Sequence, residues 1–301
     1  MTRPSDRSPW EAGMPNPKGR LTRNAGPLSG VPGGRTGGRP SPLESSLFLA
    51  PLELVGDWGS SPPEAAFRVL SRVREACLAS VALLSDRQPK RIRVESRSGG
   101  FPAIWLHDDD ASMAWILVTI GACDWCQLAY QFGHELGHVL CNSWDKLAYP
   151  RAPCQWLEES LVEAFTIRGL GVLAETWERD PPFEGDCSFS DAIRRYRNNL
   201  IARYEAQSPH SSCGAWFRAA RPRLERLGGE SEAEGPATLC VLAELEESNR
   251  SVEDLGALNR WPLRSGIAIE DYLKQWQTSC ADIRAPGRLP KQLRRRLQLG
   301  S

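Results

Sequence analysis

The order of helix-type and strand-type patterns limits the fold of this chain more than any other feature of its sequence. A helical repeat of apolar residues begins near Ser61, where Ser61 and Glu64 suit an N-terminal capping box. Strand-like segments follow at 91–96, 101–106 and 113–120, and the turns between them favour antiparallel hairpins. Helical patterns alone then occupy the rest of the chain, at 125–144, 155–176, 190–206, 213–226, 236–248 and 267–281.

This order predicts an α+β fold, with an N-terminal helix and a small antiparallel or mixed sheet before an all-helical part. We divide the chain into four regions. Residues 1–45 are a disordered leader rich in Pro, Gly and Arg, and residues 46–180 form the core that carries the chemistry. Residues 181–285 form a helical C-terminal subdomain, and residues 286–301 a basic tail exposed to solvent.

Charge and cysteine content narrow the class of protein and its partners. The 37 basic and 37 acidic residues balance, so we expect no nucleic-acid partner. No apolar segment approaches the roughly 20 residues that span a bilayer, and no secretory signal precedes the folded part, so we expect no membrane partner. Nine cysteines at irregular spacing do not suggest a disulfide framework. We therefore expect a cytoplasmic protein with mostly free thiols.

The segment HELGH contains two of the four histidines, His134 and His138, one helical turn apart. Both can direct a ring nitrogen at one point, and zinc accepts such nitrogens at about 2.0–2.1 Å. Glu135 lies roughly 100° around the helix, from where its carboxylate can take a proton from a water bound to the metal. The five residues thus supply two metal ligands and a catalytic base.

A catalytic zinc site needs a third protein ligand, and the segment WLEESLVEAF offers one on the next helix. Glu159 is the candidate, because Glu163 lies one turn further on the same face. The Glu163 carboxylate could accept the N–H of a ligating histidine and fix the orientation of its ring. Glu158 is the rival ligand, although no acid follows it one turn later.

Together, HELGH and EESLVEAF resemble the gluzincin branch of the zincin metallopeptidases, and the flanking phrases are similar to uncharacterised bacterial members of that superfamily. The resemblance covers residues 125–170 and implies one zinc ion per chain and a peptide or protein substrate. It implies His134, His138 and Glu159 as metal ligands, Glu135 as the base and Glu163 as the supporting acid. It also implies that the strand at the sheet edge, 101–106 or 113–120, holds an extended peptide.

Gluzincin-like peptidases place a Tyr or His opposite the metal to stabilise the oxyanion. Tyr149, eleven residues after His138, is the candidate in this chain, and His210 is the alternative. Tyr149 is equally compatible with a loop position in which it packs on its neighbours, whereas the surroundings of His210 favour a surface loop. His107, in the segment WLHDDD, is predicted to be a turn residue, with a role in the metal site as the alternative.

Other functions remain open on the sequence alone. A zincin-fold binding or regulatory protein without turnover would retain the same motifs, although the presence of Glu135 argues against simple loss of catalysis. Tails that bind nucleic acid are disfavoured by the neutral net charge. The C-x-x-C pair Cys123 and Cys126, with Cys141 and Cys154 nearby, could form a second zinc site, but buried thiols that pack as small hydrophobic groups fit better.

Overall fold

The computed structural model of the protein describes residues 47–59, 62–81, 86–121, 124–146, 155–208, 212–226, 232–261 and 267–300. The predicted leader lies outside the described residues, and so do Ser61, Tyr149, His210, Cys123 and Cys154. The four-region division of the chain stays a prediction.

The order of the elements confirms the predicted α+β fold: a mixed sheet and an N-terminal helix precede a mostly helical part. The strands are β1 (Leu52–Gly56), β2 (Arg91–Ser96), β3 (Ala103–Ile104) and β4 (Met113–Val118). The helices are α1 (Pro63–Cys77), α2 (Trp125–Leu140), α3 (Gln155–Arg179), α4 (Phe189–Ala206), α5 (Cys213–Leu224), α6 (Gly235–Glu247), a 3-10 helix (Asn249–Ala257), α7 (Ile269–Ile283) and α8 (Arg288–Arg296).

The sheet has the strand order β1-β2-β4-β3, in which β1, β2 and β4 are parallel and β3 is antiparallel to β4. The predicted hairpin of β3 with β4 is confirmed. The predicted hairpin of β2 with β3 is wrong, because β4 lies between them, and strand β1 was missed. The chain does reverse at the RSGG turn as predicted, but a turn sequence fixes direction only and does not choose the neighbouring strand.

Burial explains why β2 and β4 lie side by side at the centre. Ile92 and Val94 of β2 and Ile116 and Val118 of β4 are all fully buried, so both strands need neighbours on either side and helices over one face. Strand β3 contributes only two residues to the pairing and lies at the edge. The opposite face carries polar and aromatic side chains, with the Arg93 guanidinium 4.7 Å from the ring centre of Trp115.

Helix α3 is the central helix of the molecule and packs against α1, α2, α4 and α6. Because it has neighbours on nearly every side, it is buried almost all round and shows no clear polar stripe. Helix α1 begins at Pro63, one residue later than predicted. Pro62 takes the N-cap position without a side-chain hydrogen bond, and Ser61 of the predicted capping box lies outside the described residues.

The C-terminal segment differs from the predicted solvated tail. Residues 288–296 form α8, and Leu289, Leu293 and Leu297 are buried against the core. Asp254 anchors the start of this helix, since its carboxylate accepts hydrogen bonds from the backbone N–H groups of Gly287 at 2.6 Å and Leu289 at 2.7 Å. This amphipathic helix was not predicted. Its leucines repeat over too few residues to give a clear helical pattern in a segment dominated by arginines.

Candidate metal centre

Two polar contacts hold α2 at the end of β4. The predicted cap at Asp124 is present, as its carboxylate accepts a hydrogen bond from the Gln127 backbone N–H at 3.0 Å. The fully buried Gln131 side chain accepts from the Thr119 backbone N–H at 2.8 Å and donates to the Thr119 carbonyl at 2.7 Å. Gln131 therefore fixes both the position and the rotation of α2 relative to the sheet.

The glycine inside HELGH allows α2 and α3 to approach closely. A Cβ atom on Gly137 would lie 2.9 Å from the Cβ atom of Val162 and 3.1 Å from the Phe165 ring. Real side chains do not approach so closely, so any larger residue would push the helices apart. This close packing brings the histidine face of α2 to the glutamate face of α3.

His134, His138 and Glu159 meet between these two helices. Oxygen Oε2 of Glu159 lies 3.3 Å from Nε2 of His134 and 3.5 Å from Nε2 of His138. The three potential ligand atoms all lie within 4.8 Å of one another, and the side chains are 12–17% exposed. The structure thus brings together the three predicted ligand residues as a group that could hold a metal ion.

The Nδ1 atom of each histidine, on the opposite edge of the ring from Glu159, contacts another glutamate. Oxygen Oε2 of Glu163 lies 3.1 Å from Nδ1 of His134 and also accepts a hydrogen bond from the Tyr130 hydroxyl at 2.9 Å. Because this oxygen already acts as an acceptor toward Tyr130, we assign Nδ1 of His134 as the donor of the contact. The contact predicted between Glu163 and a histidine N–H is therefore present.

Glu158 was the rival candidate for the third metal ligand, but it does not point toward the Nε2 atoms. Its Oε1 lies 2.9 Å from Nδ1 of His138, on the side of the ring away from Glu159, and its side chain is 1% exposed. Successive residues on a helix point about 100° apart, so adjacent glutamates can reach opposite edges of one imidazole. The sequence placed Glu158 next to Glu159 but did not indicate which nitrogen it would reach. The contact of Tyr130 with Glu163 and that of the Ser143 hydroxyl, which donates to Oε1 of Glu158, also had no sequence signal.

The charges within the group are strongly coupled. Burial lowers the pKa of His134, but hydrogen bonds to Glu159 and Glu163 outweigh it and raise that pKa to about 10. Burial likewise opposes the charged form of His138, yet the negative charge of Glu159 and hydrogen bonds that His138 donates to Glu158 and Glu159 hold its pKa well above the ordinary value. Burial raises the pKa of Glu159, and the two histidines more than reverse this, to about 2.

Glu135 is buried beside the group and faces the edge strand of the sheet. Burial raises the pKa of its carboxyl, while His138, His134 and a hydrogen bond with the backbone of Ile104 act in the opposite direction. Ile104 belongs to β3, so the carboxylate lies between the histidines and the strand at the sheet edge.

The other residues considered for metal binding do not join the group. Nε2 of His107 lies 3.0 Å from the Met113 carbonyl within the β3–β4 hairpin, as expected of a turn residue. Cys126 and Cys141 are free thiols. Within the described part of the chain, the group of His134, His138 and Glu159 alone has the arrangement of a metal site.

Among the described residues, no helix combines the length and the apolar character needed to cross a bilayer. No protein-family model, no curated protein and no solved structure matches this chain.

Proposed function

We propose that the protein is a zinc-dependent hydrolase of the gluzincin type, a metallopeptidase that binds one zinc ion through His134, His138 and Glu159. One observation carries the proposal: both Nε2 atoms face the same oxygen of Glu159, while both Nδ1 atoms are held by other carboxylates. Two histidines placed by chance at helical spacing would have no reason to share such support.

The dimensions of the group fit a tetrahedral ion. With metal bonds of about 2.0–2.1 Å, ligand atoms in a tetrahedron lie about 3.3–3.4 Å apart. The distances from Glu159 Oε2 to the two Nε2 atoms are 3.3 Å and 3.5 Å. Carboxylates that hold the outer nitrogen of each ring are the usual support of histidines that bind zinc. The donor set of two histidines and one glutamate is also that of known catalytic zinc sites.

The proposed chemistry divides between the metal and Glu135. A bound zinc ion would lower the pKa of water to near 7 and polarise a substrate carbonyl. Glu135 would accept the proton of the attacking water and pass it to the leaving amine. Burial raises its pKa, which makes the carboxylate a stronger base toward the attacking water.

We further propose that the substrate is a peptide that adds to the edge of the sheet. Strand β3 is the last strand in the sheet order, and Ile104 within it contacts Glu135. An extended chain paired with this strand would have its backbone carbonyls beside the catalytic base. Tyr149 stays the predicted oxyanion donor.

Elemental analysis of the purified protein tests the metal site. We expect about one zinc per chain in the wild type and a large loss of zinc in His138→Ala and Glu159→Ala, since each removes one of three ligands. His107→Ala is the matched control, because this histidine lies in the β3–β4 hairpin and should leave the zinc content unchanged. A folded wild type that cannot take up added zinc would overturn the proposal.

Glu135→Gln then tests catalysis. This variant should keep its zinc and lose hydrolysis of a mixed peptide library by about 10²–10⁴-fold, the usual contribution of a general base. If the wild type binds zinc but cleaves no better than Glu135→Gln, the protein is a zincin-fold binding protein and the peptidase assignment fails.

A further inference from the structure

A buried hydrogen-bond network runs from His138 to the C-terminal helices. Glu158 accepts from His138 on Oε1, and its other oxygen accepts from Nδ2 of Asn259 at 2.9 Å. The carbonyl oxygen of Asn259 accepts in turn from the Tyr272 hydroxyl at 3.1 Å. Glu158 is 1% exposed and Asn259 is fully buried, so water cannot substitute for these partners.

The chemistry at position 259 requires an asparagine. Its backbone is left-handed, with φ of 56°, a conformation that asparagine tolerates better than most residues. The amide nitrogen also lies 3.0 Å from the Cys141 carbonyl and 3.1 Å from the Ser143 hydroxyl oxygen, so a donor is needed on this side. The Tyr272 hydroxyl needs an acceptor on the other side, which the amide oxygen of Asn259 supplies. Aspartate would supply only acceptors and would face Glu158 with a second negative charge.

Glu158 and Asn259 are 101 residues apart in the chain, and Asn259 follows the 3-10 helix. Ser143, in the turn after α2, also holds Glu158, because its hydroxyl donates to the same oxygen that faces His138. Among the described residues, Asn259 is the one hydrogen-bond donor to the second oxygen, so it adds the restraint that fixes the carboxylate plane together with the bonds to Oε1.

We propose that Asn259 is a positioning residue of the metal centre, which fixes the Glu158 carboxylate so that Nε2 of His138 is aimed at the ion. The inference rests on the proposed metal site and extends it to the C-terminal part of the molecule. Without Asn259, the carboxylate can rotate, and His138 loses its fixed orientation although all three ligands are still present.

Asn259→Gly tests this directly, because glycine accepts the left-handed backbone and removes only the side chain. Asn142→Gly is the matched control. Asn142 is also fully buried and left-handed, with φ of 65°, but its amide nitrogen donates to the carbonyls of Gly256 and Leu258 rather than to a carboxylate. Both variants lose buried hydrogen bonds, so both should unfold at reduced temperatures.

The measurements are the zinc dissociation constant, by competition with a chromophoric chelator, and the visible absorption of the cobalt-loaded protein, which reports ligand geometry. Asn259→Gly should raise the dissociation constant by about 10–100-fold and alter the cobalt spectrum. Asn142→Gly should change neither. Equal losses in both variants, or wild-type binding in Asn259→Gly, would overturn the inference and leave the metal site intact.

Tyr272→Phe covers the case in which Asn259→Gly does not fold. It keeps the ring and removes the hydroxyl that fastens Asn259, so zinc affinity should fall in the same direction by a smaller factor. Unchanged affinity and an unchanged cobalt spectrum in Tyr272→Phe would then count against the inference. A wild type that binds no zinc contradicts the proposed function itself, which separates the two failures.

Discussion

Three glutamates on one helix differ in their surroundings rather than in their chemistry. Glu159 directs one oxygen at both Nε2 atoms, whereas Glu158 and Glu163 each contact an Nδ1 atom and are almost fully buried. The helix presents residues 159 and 163 on one face and residue 158 about 100° away. The role of each glutamate therefore depends on which nitrogen of an imidazole its carboxylate can reach.

Removal of the Glu163 carboxylate should therefore weaken metal binding without removing a ligand. We expect Glu163→Ala to raise the zinc dissociation constant by about 10–100-fold, because Nδ1 of His134 loses its acceptor. Tyr130→Phe is the comparison: it removes only one hydroxyl donor from Glu163 and should cause a smaller increase. Chelator competition measures both, and wild-type affinity in Glu163→Ala would contradict this role.

At the scale of elements, the centre depends on how closely α2 and α3 pack. Gly137 faces Val162 and Phe165 at distances that leave no room for a methyl group. Gln131 fixes the other side of α2 to the end of β4. A shift of one helix relative to the other would separate the histidines from Glu159. The close packing of α2 and α3 therefore also sets the geometry of the potential metal ligands.

Gly137→Ala should lower the free energy of unfolding by about 1–3 kcal/mol through overpacking. Alanine gains about 1 kcal/mol over glycine as a helix former, so any net loss reflects the steric overlap. Gly171→Ala in α3 is the matched control. There the nearest atom is Nε of Arg197, at 3.1 Å, on a long side chain that can shift at the cost of weakening its hydrogen bond to the Ile167 carbonyl. Denaturant titration compares the two, and a more stable Gly137→Ala would refute the close packing.

At the scale of the whole molecule, the C-terminal helices form part of the same core as the sheet. Asn142, just after α2, donates to the carbonyls of Gly256 and Leu258 in the C-terminal part of the chain. Asn259, from that C-terminal part, donates to Glu158 of α3. Helix α8 packs behind these contacts with its leucines buried, although its surface is strongly basic. Of these contacts, the one between Asn259 and Glu158 connects the metal centre to a distant part of the chain.

Leu293→Ala should cost about 2–5 kcal/mol of unfolding free energy, because it removes a fully buried side chain from α8. Arg295→Ala on the same helix should change stability by less than about 0.5 kcal/mol, since Arg295 is exposed. Thermal and denaturant unfolding measure both. If Leu293→Ala is as mild as Arg295→Ala, then α8 is not an integral part of the fold.

The sequence by itself determined the local features of this protein. Apolar periodicity predicted most of the helices, and the cap at Asp124 marked the start of α2. Helical spacing placed His134 and His138 on one face, and the next helix supplied Glu159 and Glu163. Each of these depends on residues at most a few positions apart, within an element whose geometry is fixed by its own hydrogen bonds.

Only the tertiary structure decided what depends on distant partners. It placed β4 beside β2, assigned Glu158 to the outer nitrogen of His138, and brought Asn259 to the other oxygen of that carboxylate. It also buried the leucines of the basic segment at 288–296. The partner of a buried polar group or of a strand is chosen by which surfaces the whole chain excludes from water, and no local pattern records that choice.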